Sequence, residues 1–170
     1  MEERALLVVG PYGSGKSNVG TVIADMLEAE DRAYALLDLD FLAWANPPSH
    51  DVHGDPRILL ANLASLIATY RDEGIEEFVL AGYVETRDEL DRIRDVIGMP
   101  LVVIGLQVPW REIRRRLEAS LGRDGSNDLQ EAAGQVAESR GRVEDVVVNN
   151  DRPPLETAQE ILERIGWRTS

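Results

Sequence analysis

Residues Gly10-Pro11-Tyr12-Gly13-Ser14-Gly15-Lys16-Ser17 carry the spacing G-x-x-x-x-G-K-S in full. Glycines let the backbone curl until successive N–H groups converge, forming a cradle for phosphate oxygens. Arg4–Val9 before the loop is a short apolar run closed by Gly10, the pattern of a buried strand. Behind it Val19, Ile23, Met26 and Leu27 recur at helical spacing, so a helix runs from about Ser17 to Ala29. That order brings the partial positive charge of a helix N-terminus to a bound phosphate. Lys16 is then placed to reach the β- and γ-phosphates as a mobile charge, and Ser17 to offer its hydroxyl to Mg²⁺. The motif implies nucleoside triphosphate binding by Gly10, Tyr12, Gly13, Ser14, Gly15, Lys16, Ser17 and the adjoining Asn18. Of the 18 basic residues Lys16 alone is a lysine, and it stands where a compact ammonium has a specific use.

Working outward, strands and helices alternate without hairpin signals. Strands are expected at Tyr34–Leu39, Glu77–Ala81, Leu101–Leu106 and Val143–Val148. Between them, Leu59, Leu60, Leu63, Leu66 and Ile67 mark one helix, with Asp55 as its cap and Pro56 at its first position. Thr86 with Glu89 three residues on is a capping box for the next. Pro109 opens a helix holding Ile113 and Leu117, a weaker polar helix covers Leu129 to about Ser139, and Leu155–Ile165 ends at Gly166. The pattern predicts one α/β domain over residues 1–170, with a mostly parallel sheet covered on both faces. Ligands belong at the C-terminal ends of its strands.

Phosphoryl transfer also needs carboxylates for the metal and for an acceptor hydroxyl. Asp38 and Asp40 close the second strand two residues apart, so they share a face if the strand persists. Asp38 is assigned to the metal and Asp40 to the acceptor; the alternative is that one simply caps the following loop. The third strand ends in Ala81-Gly82-Tyr83 with no acidic residue, which weakens a water-activating ATPase or a switch GTPase. Gly82 either lets an acceptor approach the backbone or makes an ordinary turn, and Tyr83 and Arg87 divide between the acceptor pocket and packing or surface duty. Arg111, Arg114, Arg115, Arg116 and Arg123 are the densest basic region, with Glu112 and Glu118 among them. The polar stretch behind them reads as a short lid around 118–128 that would carry Arg116 or Arg123 to the phosphoryl group. His50 and His53 lie in a Pro- and Gly-containing loop whose alternatives are acceptor contact, a metal site and plain surface. Core packing is the first expectation for Trp44, and Trp110 and Trp167 read as structural.

Composition sets the outer bounds. With 44% apolar and 29% charged residues the chain is globular rather than disordered. A net charge of -13 argues against a broad nucleic-acid surface, though not against a local anion pocket. Without cysteine there is no thiolate chemistry, disulfide or Cys-ligated zinc. No apolar run has the length of a membrane span, and Glu2 and Glu3 stand where a signal peptide is basic, so a cytoplasmic protein is expected.

Taken together, Gly10–Ser17, Asp38-Leu39-Asp40, Leu106–Arg116 with the polar stretch behind it, and Val148-Asn149-Asn150-Asp151 resemble the small P-loop kinases of metabolites and nucleosides. Adenylylsulfate, shikimate, gluconate and chloramphenicol kinases are members, and the likeness runs from Ala5 to Ile165. It implies a three-layer α/β/α fold with a five-stranded parallel sheet in the order 2-3-1-4-5. It implies Mg²⁺ held through water by Asp38, the acceptor hydroxyl met by Asp40, and Asn149 and Asn150 beside the adenine. By the same likeness Arg116 stacks on the base or touches phosphate. Only Gly82 matches the triple-glycine turn of shikimate kinases, so the acceptor does not follow.

The expected activity is transfer of the γ-phosphoryl of ATP to a hydroxyl of a small molecule. Lys16, Asp40, Arg116 and Arg123 are its catalytic residues, and Asp40, His50, His53, Gly82, Tyr83 and Arg87 are set around the acceptor. A nucleoside or nucleotide kinase and a nucleotide-binding regulatory module are the alternatives. ATP or GTP, and monomer or homodimer, stay open.

Overall fold

Burial on both faces decides the strands. The structure is a computed structural model describing residues 3–44, 56–121, 132–135 and 143–167. β1 (Arg4–Val9), β2 (Tyr34–Asp38), β3 (Glu77–Gly82), β4 (Leu101–Gln107) and β5 (Val146–Asn149) pair in parallel in the order β2-β3-β1-β4-β5. Every residue of β3 is buried, and so is β1 from Ala5 onward, which is why both read as unbroken apolar runs. The helices are α1 (Lys16–Ala29), the single turn α2 (Leu39–Leu42), α3 (Pro56–Asp72), α4 (Arg87–Ile97), α5 (Trp110–Leu121) and α6 (Pro154–Arg164). Val19, Ile23 and Leu27 of α1 and Ala158, Ile161 and Leu162 of α6 cover one face of the sheet. Leu59, Leu63 and Ile67 of α3 and Leu90, Ile93 and Ile97 of α4 cover the other. The α/β/α layering and sheet order are those the sequence implied.

Register places the site. Val9, the last residue of the central strand, lies opposite Gly82 of β3 and Gly105 of β4. The three share the sheet face toward α3 and α4, and neither glycine offers a side chain there. A Cβ on Gly82 would sit 2.7 Å from Leu39 Cβ, so Leu39 fills that gap.

At the opposite end of the sheet a buried charge is closed off. Glu77, 1% exposed, accepts from Arg4 Nε at 2.9 Å and Arg32 Nε at 2.8 Å. Arg32 also donates to the Trp167 carbonyl, and the Arg4 guanidinium lies 4.5 Å from the Trp167 ring centre. Burial pushes the Glu77 carboxyl up, but hydrogen bonds from Arg32 and then Arg4 outweigh it and leave it below the ordinary value.

Several boundaries differ from the sequence expectation. β2 stops at Asp38 rather than Leu39, because the Asp38 side chain accepts from Asp40 N and turns the chain into α2. Asp38 and Asp40 therefore do not share a strand face. β5 starts at Val146, not Val143, and Val143 packs in the core from the preceding segment. Trp44 is no core residue: it is 80% exposed and stacks on Phe41 with ring centres 5.9 Å apart. Thr86 caps α4 as expected, while the Glu89 carboxylate accepts from Glu85 N. Among the described residues no helix is long and apolar enough to cross a membrane.

Candidate functional site

The phosphate loop leaves β1 and enters α1 through Gly13 and Gly15, with φ of 77° and 90°, a region L side chains rarely adopt. Space requires glycine there as well. A Cβ on Gly13 would lie 2.9 Å from Leu117 of α5, and one on Gly15 2.9 Å from Asn150 Nδ2. The loop is thus pressed between α5 and the end of β5, a constraint its own sequence does not announce.

That clamp is polar as well as steric. Arg116 donates from Nη1 to the Ser14 carbonyl at 3.1 Å and from Nη2 to the Asn150 carbonyl at 2.6 Å. Asn150, 2% exposed, donates from Nδ2 to Ser14 O at 2.8 Å and accepts from Thr157 at 2.9 Å. Both side chains act as struts under the loop. Glu112 anchors the Arg116 Nε at 2.9 Å, and hydrogen bonds from Arg115 and then Arg116 hold the Glu112 carboxyl down to about 2. The helical residues 132–135 add another contact: Gln135 Oε1 accepts from Tyr12 N at 2.6 Å. Neither Gln135 nor Thr157 carried a sequence signal.

On the other side of the loop, four side chains join the first helical turn to the end of β2. Lys16 Nζ lies 2.9 Å from Asp40 Oδ2, and Ser17 Oγ donates to Asp38 Oδ2 at 2.6 Å. Asp38 Oδ1 accepts from Asp40 N at 3.0 Å, and Asp40 Oδ1 from Tyr83 N at 3.1 Å. The Lys16 side chain is 7% exposed but that of Asp40 44%, so the pair opens outward at its carboxylate. Lys16 also lies 5.9 Å from the Tyr12 ring centre. A buried ammonium and a column of N–H groups can neutralise a polyphosphate. The hydroxyl and carboxylate of Ser17 and Asp38 are the hard oxygen donors that magnesium takes. Ser14 Oγ is buried without a partner beside Gly10, a further polar atom that the protein itself does not satisfy.

The structure therefore brings together Gly10, Tyr12, Gly13, Ser14, Gly15, Lys16, Ser17, Asp38, Asp40 and Tyr83, with Arg116 and Asn150 beneath. Asn18 is exposed on the first turn of α1, Asn149 is exposed at the end of β5, and Arg87 is exposed at the start of α4. Gly82 lies beside Tyr83 at the end of β3. His50, His53, Arg123 and the expected lid beyond residue 121 lie outside the described residues.

Neither a family model nor a curated protein matches the chain. Solved structures do match its fold over nearly the whole length. An unliganded sugar kinase from a Janibacter species is 20% identical, covering 96% of this chain and 95% of that one, with a TM-score of 0.69. Shikimate kinase from Acinetobacter baumannii in complex with shikimate is 20% identical over 98% and 94%, TM-score 0.66. The Mycobacterium tuberculosis APS kinase in complex with AMPPNP and APS is 19% identical over 97% and 98%, TM-score 0.65. The chain has the fold of the small P-loop kinases.

Proposed function

We propose that this protein is an ATP-dependent phosphotransferase that moves the γ-phosphoryl group to a hydroxyl of a small molecule. The observation carrying this reading is the Ser17–Asp38 and Lys16–Asp40 pairing, which sets two carboxylates against a complete phosphate loop. The similarity of fold to kinases of sugars, shikimate and APS supports it.

The loop N–H groups and the α1 N-terminus hold the phosphates, and Lys16 leaves Asp40 to follow charge on the β- and γ-oxygens. Asp40, released from Lys16, accepts the hydrogen bond of the acceptor hydroxyl and fixes its oxygen in line with the γ-phosphorus. The new bond joins that oxygen to phosphorus, the bond to the β-phosphate bridging oxygen breaks, and ADP leaves. The hydroxyl proton passes to Asp40 and then to water. Ser17 and Asp38 would hold Mg²⁺, which supplies charge neutralisation between the phosphates. Arg116, fixed by Glu112, the Ser14 carbonyl and the Asn150 carbonyl, keeps the loop in its receiving shape.

ADP release from Mg-ATP across hydroxylated metabolites, nucleosides and aminocyclitols tests the reading. Acceptor-dependent turnover lost in both Lys16→Ala and Asp40→Asn is expected. Tight nucleotide binding that no acceptor stimulates, with Asp40→Asn indistinguishable from the parent, would replace the kinase with a nucleotide-binding module.

A further inference from the structure

Beside the start of the phosphate loop lies a cavity of about 300 Å³. Gly10, Pro11, Tyr83, Glu85, Gln107 and Glu144 line it together with apolar strand-end residues. Asp40 does not line it but accepts a hydrogen bond from the backbone N of Tyr83, which does. Among the described lining residues there is no Lys and no Arg, while two are carboxylates.

Glu144 is there because of Gly105. A Cβ on Gly105 would stand 3.1 Å from both Cδ and Oε1 of Glu144, so no larger residue fits while that carboxylate lies across the strand. Glycine inside a strand weakens it, and here the vacated space holds a charged group. Glu144 Oε1 rests over the glycine, while Oε2 is buried and accepts no hydrogen bond. A carboxylate oxygen removed from water without a donor is unfavourable until a donor arrives. Glu144 lines the cavity, so a donor entering there meets this carboxyl group once Oε2 turns out of its buried position.

We infer that this cavity is the acceptor site and that it takes a hydroxylated amine, such as an amino alcohol or aminocyclitol, whose ammonium pairs with Glu144. The inference rests on the phosphotransfer reading for the fate of the hydroxyl, but the recognition itself can be measured without turnover. A hydroxy acid is disfavoured: its carboxylate would meet Glu85 and Glu144 with no described lining cation to balance it. Substrate charge and site charge are then complementary, with the one lysine of the chain left to the phosphates.

The test is calorimetric titration of the protein, saturated with magnesium and the β,γ-imido analogue of ATP, with three ring compounds of similar size. These are 2-deoxystreptamine (cationic), myo-inositol (neutral) and quinate (anionic). The parent is expected to prefer 2-deoxystreptamine by about tenfold or more, the scale of one charge-assisted hydrogen bond. Glu144→Gln should abolish that preference and melt no lower than the parent, since it removes a carboxylate whose Oε2 has no donor. Glu85→Gln, at an exposed rim position, should weaken the preference less. Equal or tighter binding of quinate or myo-inositol, a preference that survives Glu144→Gln, or binding of none of the three at millimolar concentration overturns the inference. Acceptor-dependent ADP release from a hydroxy acid would overturn it too, while leaving phosphotransfer intact.

Discussion

The two ends of the sheet handle charge in opposite ways. At the N-terminal end, Glu77 is enclosed by Arg4 and Arg32, and Arg32 is tied onward to the Trp167 carbonyl. At the C-terminal end, Lys16 leans on a half-exposed Asp40, Ser14 Oγ has no partner, and Glu144 Oε2 is buried without a donor. Both ends hold ionic groups against the same apolar strands, only some twenty ångströms apart by strand length. One end closes its charges off within the fold; the other leaves polar atoms unsatisfied, which the proposed function assigns to nucleotide and acceptor. Unsatisfied polar groups in a folded chain point to the binding end.

The sharpest way to break that contrast is Lys16→Ala. Acceptor-dependent turnover should fall by about 100- to 1,000-fold, as when one preorganised electrostatic group is removed, with little change in melting temperature. Kinetics and a thermal melt on the same preparation check both halves. Glu77→Ala should do the reverse. Stranding two guanidinium groups costs about 3 kcal/mol, and so roughly 6–12 °C in melting temperature, while turnover per folded molecule persists. An unchanged melt would show that the closed cluster does not hold the fold.

Asp40→Asn comes next, with kcat down about 100-fold and ATP affinity retained, read from single-turnover kinetics and nucleotide titration. The smallest effect is that of acid. Glu77 has a folded value below its unfolded one, so its contribution is full above the ordinary carboxylate range and fades as pH falls through the lowered folded value. Melting temperature should therefore drop on acidification more steeply in the parent than in Glu77→Ala, measured by scanning calorimetry across a pH series.

What the sequence disclosed and what it concealed divide along the same physical line. Gly10–Ser17 was legible because its glycines and Lys16 sit at fixed local offsets, and the Thr86 cap because it involves residues three apart. The end of β2 departs from the sequence expectation for a local reason too: the hydrogen bond that Asp40 N donates to the Asp38 carboxylate outcompetes strand alternation. Gly105 and Glu144 carry no local signal: one lies within the strand expected at Leu101–Leu106, the other within that expected at Val143–Val148. Their meaning comes from β4 and the approach to β5 lying side by side, which no local offset encodes. The Gln135 and Asn150 contacts with the loop are distant in sequence for the same reason.

A chain with one lysine at the centre of its phosphate loop is also a chain with one cleavage point for a lysine-specific endoprotease. That peptide bond, Lys16–Ser17, lies in the first turn of α1 with the lysine side chain almost fully covered. Cutting it requires the loop and the start of the helix to open locally, so the rate of appearance of two fragments reports the opening equilibrium of this one segment. Proteolysis becomes a single-bond clock for the site, slowed by anything that settles into the loop, with global unfolding setting its slowest rate.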